Sequence, residues 1–167
     1  MKTRYLFFTV FAVLCFACNS SDDGVTPELS TYEFYTDSNM VFTNNQGFET
    51  VSIEPGTNSV FKYSFTAEED ENIADDEYTE TLYFEVDGSL DNFSYSNGEL
   101  RGLNLAIRRL CFCPNVDFIF PQVGTVTGSK QSNGNWDISI SISFQWDAQS
   151  ETVSRTINGT FQPSTDN

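Results

Sequence analysis

An antiparallel β-sandwich of about eight or nine strands is the fold this sequence predicts. Three observations predict it. Apolar and aromatic residues recur at every second position through much of the stretch from Thr31 to Phe161. Turn chemistry interrupts that alternation at Pro55-Gly56, Asp87-Gly88, Asn97-Gly98 and Ser132-Asn133-Gly134. No window carries a convincing helical period, whereas period two with β-branched and aromatic residues is the strand signature. Neither an internal repeat nor a uniform strand length suggests closure, so the sandwich is preferred and a barrel is the alternative.

Each element follows from its residues. Thr31 to Thr36 alternates Tyr32 and Phe34 with Glu33 and Tyr35. Phe48 to Ile53 sets Val51 and Ile53 on one face ahead of the Pro55-Gly56 turn. Ser59 to Thr66 groups Phe61, Tyr63 and Phe65, with Lys62 and Ser64 opposite. Tyr78 to Val86 places Leu82, Phe84 and Val86 on one side and Thr79, Thr81 and Tyr83 on the other. Asn97-Gly98 predicts a tight hairpin turn into a strand from Glu99 to Ile107. The clearest element is Asn135 to Asp147, where Trp136, Ile138, Ile140, Ile142, Phe144 and Trp146 alternate with Asp137, Ser139, Ser141, Ser143 and Gln145. One face is wholly apolar and the other wholly polar, which is the habit of an antiparallel sheet with a core on one side. Its apolar stripe spans about 35 Å at strand rise, long for a strand. With Val123 to Lys130 and Glu151 to Phe161 it forms a closing three-stranded meander.

Ahead of the β region, Lys2 and Arg4 precede an apolar run from Tyr5 to Phe16, then Ala17-Cys18-Asn19-Ser20-Ser21-Asp22-Asp23-Gly24. A short basic start, about a dozen apolar residues and a small residue at the cut make a secretory signal peptide. The run is shorter than the roughly 20 residues that span a bilayer. The segment resembles a bacterial lipoprotein signal, in which the residue after the cut is a Cys that receives the lipid. Cys18 follows the small Ala17 and suits that cut better than Cys15, which follows Leu14, although Cys15 stands where the pattern has an aliphatic residue. Asn19 to Gly24 resembles the acidic sorting tag of Bacteroidetes-type surface lipoproteins, and it also reads as a polar, flexible tether. The resemblance implies an outer-membrane protein held by lipid on Cys18, displayed at the cell surface, with the periplasmic face as the alternative. The expected organisation is a signal at 1–17, a lipidated tether at 18–30, a single β domain at 31–163 and a disordered tail at 164–167.

Composition narrows the chemistry. The chain has 24 acidic and 8 basic residues, a formal charge of −16, and loss of Lys2 and Arg4 with the signal takes it to −18. Such a surface repels phosphate backbones and excludes nucleic acid as a partner. There is no His, and beyond Met1 the single Met is Met40. This removes Ser-His-Asp and Cys-His catalysis, His-ligated zinc and blue copper. No phosphate loop or dinucleotide fingerprint is present, and no cofactor is expected.

Four groups of residues are candidates for a site. Cys111 and Cys113 are expected to form a local disulfide in an exported protein, against free thiols or metal and redox chemistry. Arg101, Arg108 and Arg109 crowd one stretch and could receive an anion through bidentate forks, or pair with the chain's own acids. The loop Glu68-Glu69-Asp70-Glu71-Asn72-Ile73-Ala74-Asp75-Asp76-Glu77 reads as a solvated acidic hairpin loop. It is also a weak calcium candidate through Glu69, Asp70, Asp75 and Asp76, although it lacks the alternating spacing that directs ligands inward. Tyr35 and Tyr83, on the less apolar sides of their strands, are candidate exposed aromatics.

The expected function is that of a lipid-anchored envelope protein acting as a non-catalytic binding or accessory module. Its partner would be a glycan, a peptide or an envelope protein. A barrel-shaped carrier of a small apolar ligand is the alternative, and a carboxylate-dependent hydrolase comes third, since glycosidases need only two acids.

Overall fold

The computed structural model describes residues 25–45, 47–70, 77–113 and 117–165. In chain order its strands are β1 (Val25–Thr26), β2 (Leu29–Asn45), β3 (Phe48–Pro55), β4 (Asn58–Thr66), β5 (Glu69–Asp70) and β6 (Thr79–Asp87). They continue with β7 (Asn92–Ser96), β8 (Ala106–Leu110), β9 (Val123–Lys130), β10 (Trp136–Phe144) and β11 (Val153–Pro163). A 3-10 helix, Asn97–Leu103, separates β7 from β8. Nine strands form one mixed sheet in the order β7-β9-β10-β11-β2-β4-β6-β8, with β3 paired to β2. Its two ends do not pair, so the sheet is folded into a sandwich and not closed into a barrel.

The predicted alternation drives that folding. On β10, Trp136, Ile138, Ile140, Ile142 and Phe144 are buried while Asp137, Ser139 and Ser141 are exposed. The strand ends at Phe144, short of the predicted Asp147, yet Trp146 is still buried with its ring 4.9 Å from Phe144. Opposite, Phe34, Phe61 and Phe84 lie in register across β2, β4 and β6 and stack at 5.8 and 4.8 Å. Phe61 is fully buried at the centre, with Trp136 at 5.5 Å, Phe161 at 5.7 Å and Phe93 at 6.0 Å. These rings hold the β7-β9-β10-β11 half against the β2-β4-β6-β8 half.

The two halves meet at a seam and are capped opposite it. At the seam, β11 runs parallel to β2 over Gln162↔Glu33 and Pro163↔Phe34. The Ser164 amide donates to Phe34 O at 2.8 Å, so the chain is held into the stretch expected to be a free tail. The Tyr32 ring rests on Gly159, where an added Cβ would stand 2.3 Å from Tyr32 Cε1. On the other side the 3-10 helix packs on β6, β7 and β9 and drives Leu100 and Leu103 into the core. This corrects the predicted strand from Glu99, which begins only at Ala106. The reason is a capping box. The Ser96 amide donates to Glu99 Oε2 at 2.9 Å, which stabilises a helical start where Asn97-Gly98 suggested a hairpin.

β2, predicted over Thr31 to Thr36, runs much further, from Leu29 to Asn45. β3 and β4 both run antiparallel along β2, from Asn45↔Phe48 to Leu29↔Thr66, so residues 29–66 make one long hairpin. It kinks where Asp37 takes a φ of 49° and the register slips. There the Gly56 amide donates to Asp37 O at 2.8 Å, and the Thr57 amide to Asn39 Oδ1 at 3.3 Å. A Cβ at 56 would lie 2.1 Å from Asn39 Cγ, so a larger residue there displaces the side chain that accepts from the Thr57 amide. Beyond the kink the distal part, Ser38–Asn45 with β3, forms an arm folded over the outer face of β6 and β8. Three contacts hold it. The Met40 amide donates to Glu85 Oε2 at 2.9 Å, Phe42 packs 5.6 Å from Phe118 and 5.4 Å from Phe120, and Arg108 Nη1 donates to Glu49 O at 3.0 Å. Ile119 is bonded to Ile107 in both directions at 2.8 Å, which sets Phe118 and Phe120 under the arm.

Val25–Thr26 pairs with Glu69–Asp70 in a separate two-stranded ribbon. Part of the expected tether is therefore tied to the loop after β4, and β2 already begins at Leu29. The signal segment and Cys18 lie outside the described residues.

Candidate functional site

Alternation along β2, β4, β6 and β8 gives this layer a second face, turned away from the core and partly roofed by the arm. Register builds it directly: Glu33 faces Lys62, Lys62 faces Tyr83, and Thr81 beside Tyr83 faces Arg108. Tyr35 continues the β2 column from Glu33. Neighbouring strands stand about 4.8 Å apart, so these side chains form one continuous patch. Lys62 Nζ lies 3.2 Å from Glu33 Oε2, with both side chains near 30% exposed (29% and 32%). Tyr35 and Tyr83 are half-buried, less open than the exposed aromatics expected, and Tyr83 has the Phe118 ring 6.3 Å away. Glu33 also borders a depression of about 380 Å³ at the seam, lined by Thr31, Tyr32, Thr160 and Gln162.

The electrostatics of this face are set by burial and by its own charges. Burial pushes the Tyr83 hydroxyl above its ordinary value, with Lys62 and Arg108 opposing and Tyr35 and Glu33 adding to the rise. Burial alone would weaken the Lys62 cation, but the hydrogen bond and charge of Glu33 outweigh it and raise its pKa. At neutral pH the face therefore presents a protonated phenol beside the Lys62 ammonium. Arg108 sits with its guanidinium carbon 4.7 Å over the Phe118 ring, and its Nε is buried with no hydrogen-bond partner among the described residues.

A second polar cluster lies between the layers. Glu80 occupies an inward position of β6 in line with Leu82, Phe84 and Val86 and is only 4% exposed. Arg155 reaches it from β11, with Nε 2.8 Å from Oε2 and Nη2 2.5 Å from Oε1. The Tyr78 hydroxyl donates to Oε1 as well. Burial opposes ionisation of Glu80, yet the bonds from Arg155 and Tyr78 and the charges of Arg155 and Arg109 hold its carboxyl below the usual range. Burial, then the bond to and charge of Glu80, push the Tyr78 hydroxyl up to about 12. Neither residue of the Glu80–Arg155 pair drew attention in the sequence. The signal was there: each is the lone charge within an otherwise apolar stripe of its strand.

The remaining candidates separate. Arg108 and Arg109 are adjacent on a strand and point to opposite faces. Arg109 faces Glu80 across the β6–β8 ladder and lies 4.7 Å over the Trp146 ring. Arg101, on the 3-10 helix, donates to Gln122. The three arginines thus serve three places, and only Arg108 joins Tyr35 and Tyr83. Cys111 and Cys113 form a disulfide across a turn, with Cα atoms 5.2 Å apart and the Cys113 amide donating to Cys111 O at 2.8 Å. That turn draws in two sulfurs that an extended strand would hold near the limit for bonding. Glu69 and Asp70 are consecutive on β5 and so diverge, while Asp75 and Asp76 lie outside the described residues. Among the described residues no three metal-binding side chains gather.

The buried carboxylates do not make a catalytic pair. Glu80 faces the core, whereas Glu85 faces the arm, where it accepts from the Met40 amide and from Asn104 Nδ2 at 2.6 Å. Comparison of the chain with protein-family models, with curated proteins and with solved structures found no match.

Proposed function

We propose that this protein is a lipid-anchored envelope module that binds a glycan without catalysis, using the outer face of β2-β4-β6-β8. One observation carries the reading. Tyr35, Tyr83, Lys62 and Glu33 stand side by side and half-exposed, walled by the arm and continuous with the depression at the seam. Tyrosine rings offer apolar area at small conformational cost, and the flanking ammonium and carboxylate supply a donor and acceptors for hydroxyl groups. The location rests on the resemblance of the first residues to a lipoprotein signal.

The carrier reading requires an apolar cavity of a few hundred Å³. The space between the layers holds Phe61, Phe84, Phe93, Trp136 and Phe161 instead. A hydrolase requires two acids across one cleft, and the two buried glutamates face apart.

The test is glycan-array screening of the protein, followed by calorimetry on any hit. A double change, Tyr35→Ala with Lys62→Ala, should lower affinity at least about tenfold, the scale of removing a hot-spot contact. Unaltered affinity in that variant, or an array with no bound glycan at millimolar concentration, sinks the reading.

A further inference from the structure

We infer that the end of the domain through which the chain enters β1 lies on the membrane and inserts apolar side chains into a weakly charged lipid surface. The inference rests on the lipid-anchor reading and adds an orientation to it. Leu29, Thr66, Thr79 and Leu110 form the last cross-strand row of the outer face, in register through β2, β4, β6 and β8. Leu29 is 59% exposed and Leu110 46%. Three strand spacings put them about 15 Å apart. Phe112 follows in the turn closed by the Cys111–Cys113 disulfide and is 85% exposed, the most open large apolar side chain among those described. The arm brings a fourth. Its tip is fixed by Arg108, one same-face position from Leu110, and carries Phe48, 68% exposed.

Apolar residues gathered at one rim mark an interaction surface. What covers this one follows from the chain. Val25 is paired with Asp70 at the same end, next to Leu29. The seven Cα-to-Cα steps from Cys18 to Val25 reach about 24 Å at full extension. A lipid on Cys18 therefore keeps Val25, beside the Leu29 corner of the rim, within that distance of the headgroups, whereas Gly56 lies beyond the opposite end of β4. Aromatic and leucine side chains favour the headgroup boundary. Charge decides the kind of lipid. Glu28, Glu68 and Glu77 are exposed beside the rim, so an anionic surface repels what the apolar groups attract.

The experiment uses the full chain, matured in a bacterial host that processes lipoproteins and reconstituted in phosphatidylcholine vesicles containing brominated acyl chains. Phe112→Trp places a reporter at the rim, Leu29→Trp a second one, and Glu54→Trp a control near the kink. The native Trp136 and Trp146 are 2% and 6% exposed and contribute a background common to all variants. Labelling with radioactive palmitate, compared with Cys18→Ala, reports on the anchor separately. The expected result is a labelled protein in which the rim reporters are quenched at least about twofold more than the control, as interfacial insertion requires. Adding phosphatidylglycerol should reduce that difference. Equal quenching at the rim and the kink in a labelled protein overturns the inference and leaves the anchor standing. Absence of label on the wild-type chain overturns both.

Discussion

Strands β2, β4, β6 and β8 carry one ion pair on their outer face and contribute half of another on their inner face, and the two behave differently. Lys62–Glu33 spans 3.2 Å between neighbouring strands with about a third of each side chain in water. Arg155–Glu80 crosses between the layers at 2.5 Å with the Glu80 side chain 5% exposed. Water screens the first, and such pairs contribute about 0–1 kcal/mol. The second sits where an unpaired carboxylate is costly, so each partner is indispensable to the other even if the pair as a whole is no better than two apolar residues. The outer face can therefore be altered for binding at little cost to the fold. The inner face cannot.

The largest expected effect lies at the centre of the inner face. Phe61→Ala should lower unfolding free energy by about 3–5 kcal/mol, measured by urea titration, because it empties the space shared by five rings. A loss under about 1 kcal/mol would mean that the layers are not held together by those rings. Next comes Arg155→Leu, which leaves the buried Glu80 with the Tyr78 bond but without its ion-pair partner and should cost about 3 kcal/mol at neutral pH. The double change Glu80→Leu with Arg155→Leu should recover much of this loss, which no purely additive pair would do.

The same pair has a pH signature. Glu80 has its folded pKa below the ordinary value of 4.5, so its contribution is complete above that pH and is lost as pH falls through the folded value. Tyr78 works in the opposite direction. Its pKa rises from 10.0 to about 12, so its contribution is present below pH 10 and lost as pH climbs toward about 12. Glu80→Gln should flatten the acid limb of the stability profile and Tyr78→Phe the alkaline limb. The smallest effect belongs to the outer face, where Lys62→Met should shift stability by less than about 1 kcal/mol. A larger loss there would erase the distinction between the two faces.

How much of this was legible depended on how local each signal is. The inward set on β10 and the assignment of Leu82, Phe84 and Val86 to one side of β6 follow from period two alone, and the structure has both. The continuation of β2 to Asn45 was not readable, because its second half alternates weakly and the kink at Asp37 is fixed by a partner, Gly56, on another strand. The 3-10 helix was readable and missed: Ser96 and Glu99 have capping-box spacing, and Leu100 and Leu103 stand three apart. The separation of Arg108 from Arg109 was also readable, since consecutive strand residues diverge. The outer patch was only half visible. Tyr35 and Tyr83 were singled out, but Lys62 and Glu33 join them only through register, which is a property of pairing and not of any single strand.

The parallel join between β11 and β2 ties residues at opposite ends of the chain, Gln162 to Glu33. Contacts so distant in sequence form late, because the intervening loop entropy must first be overcome. Until its last strand is available, the domain lacks Phe161, the Arg155 that neutralises Glu80, and the seam itself. The chain is thus slow to commit to its native state while it is still being made. Under the export reading proposed above, that delay is an asset: an extended chain can be threaded across a membrane, and a finished sandwich cannot.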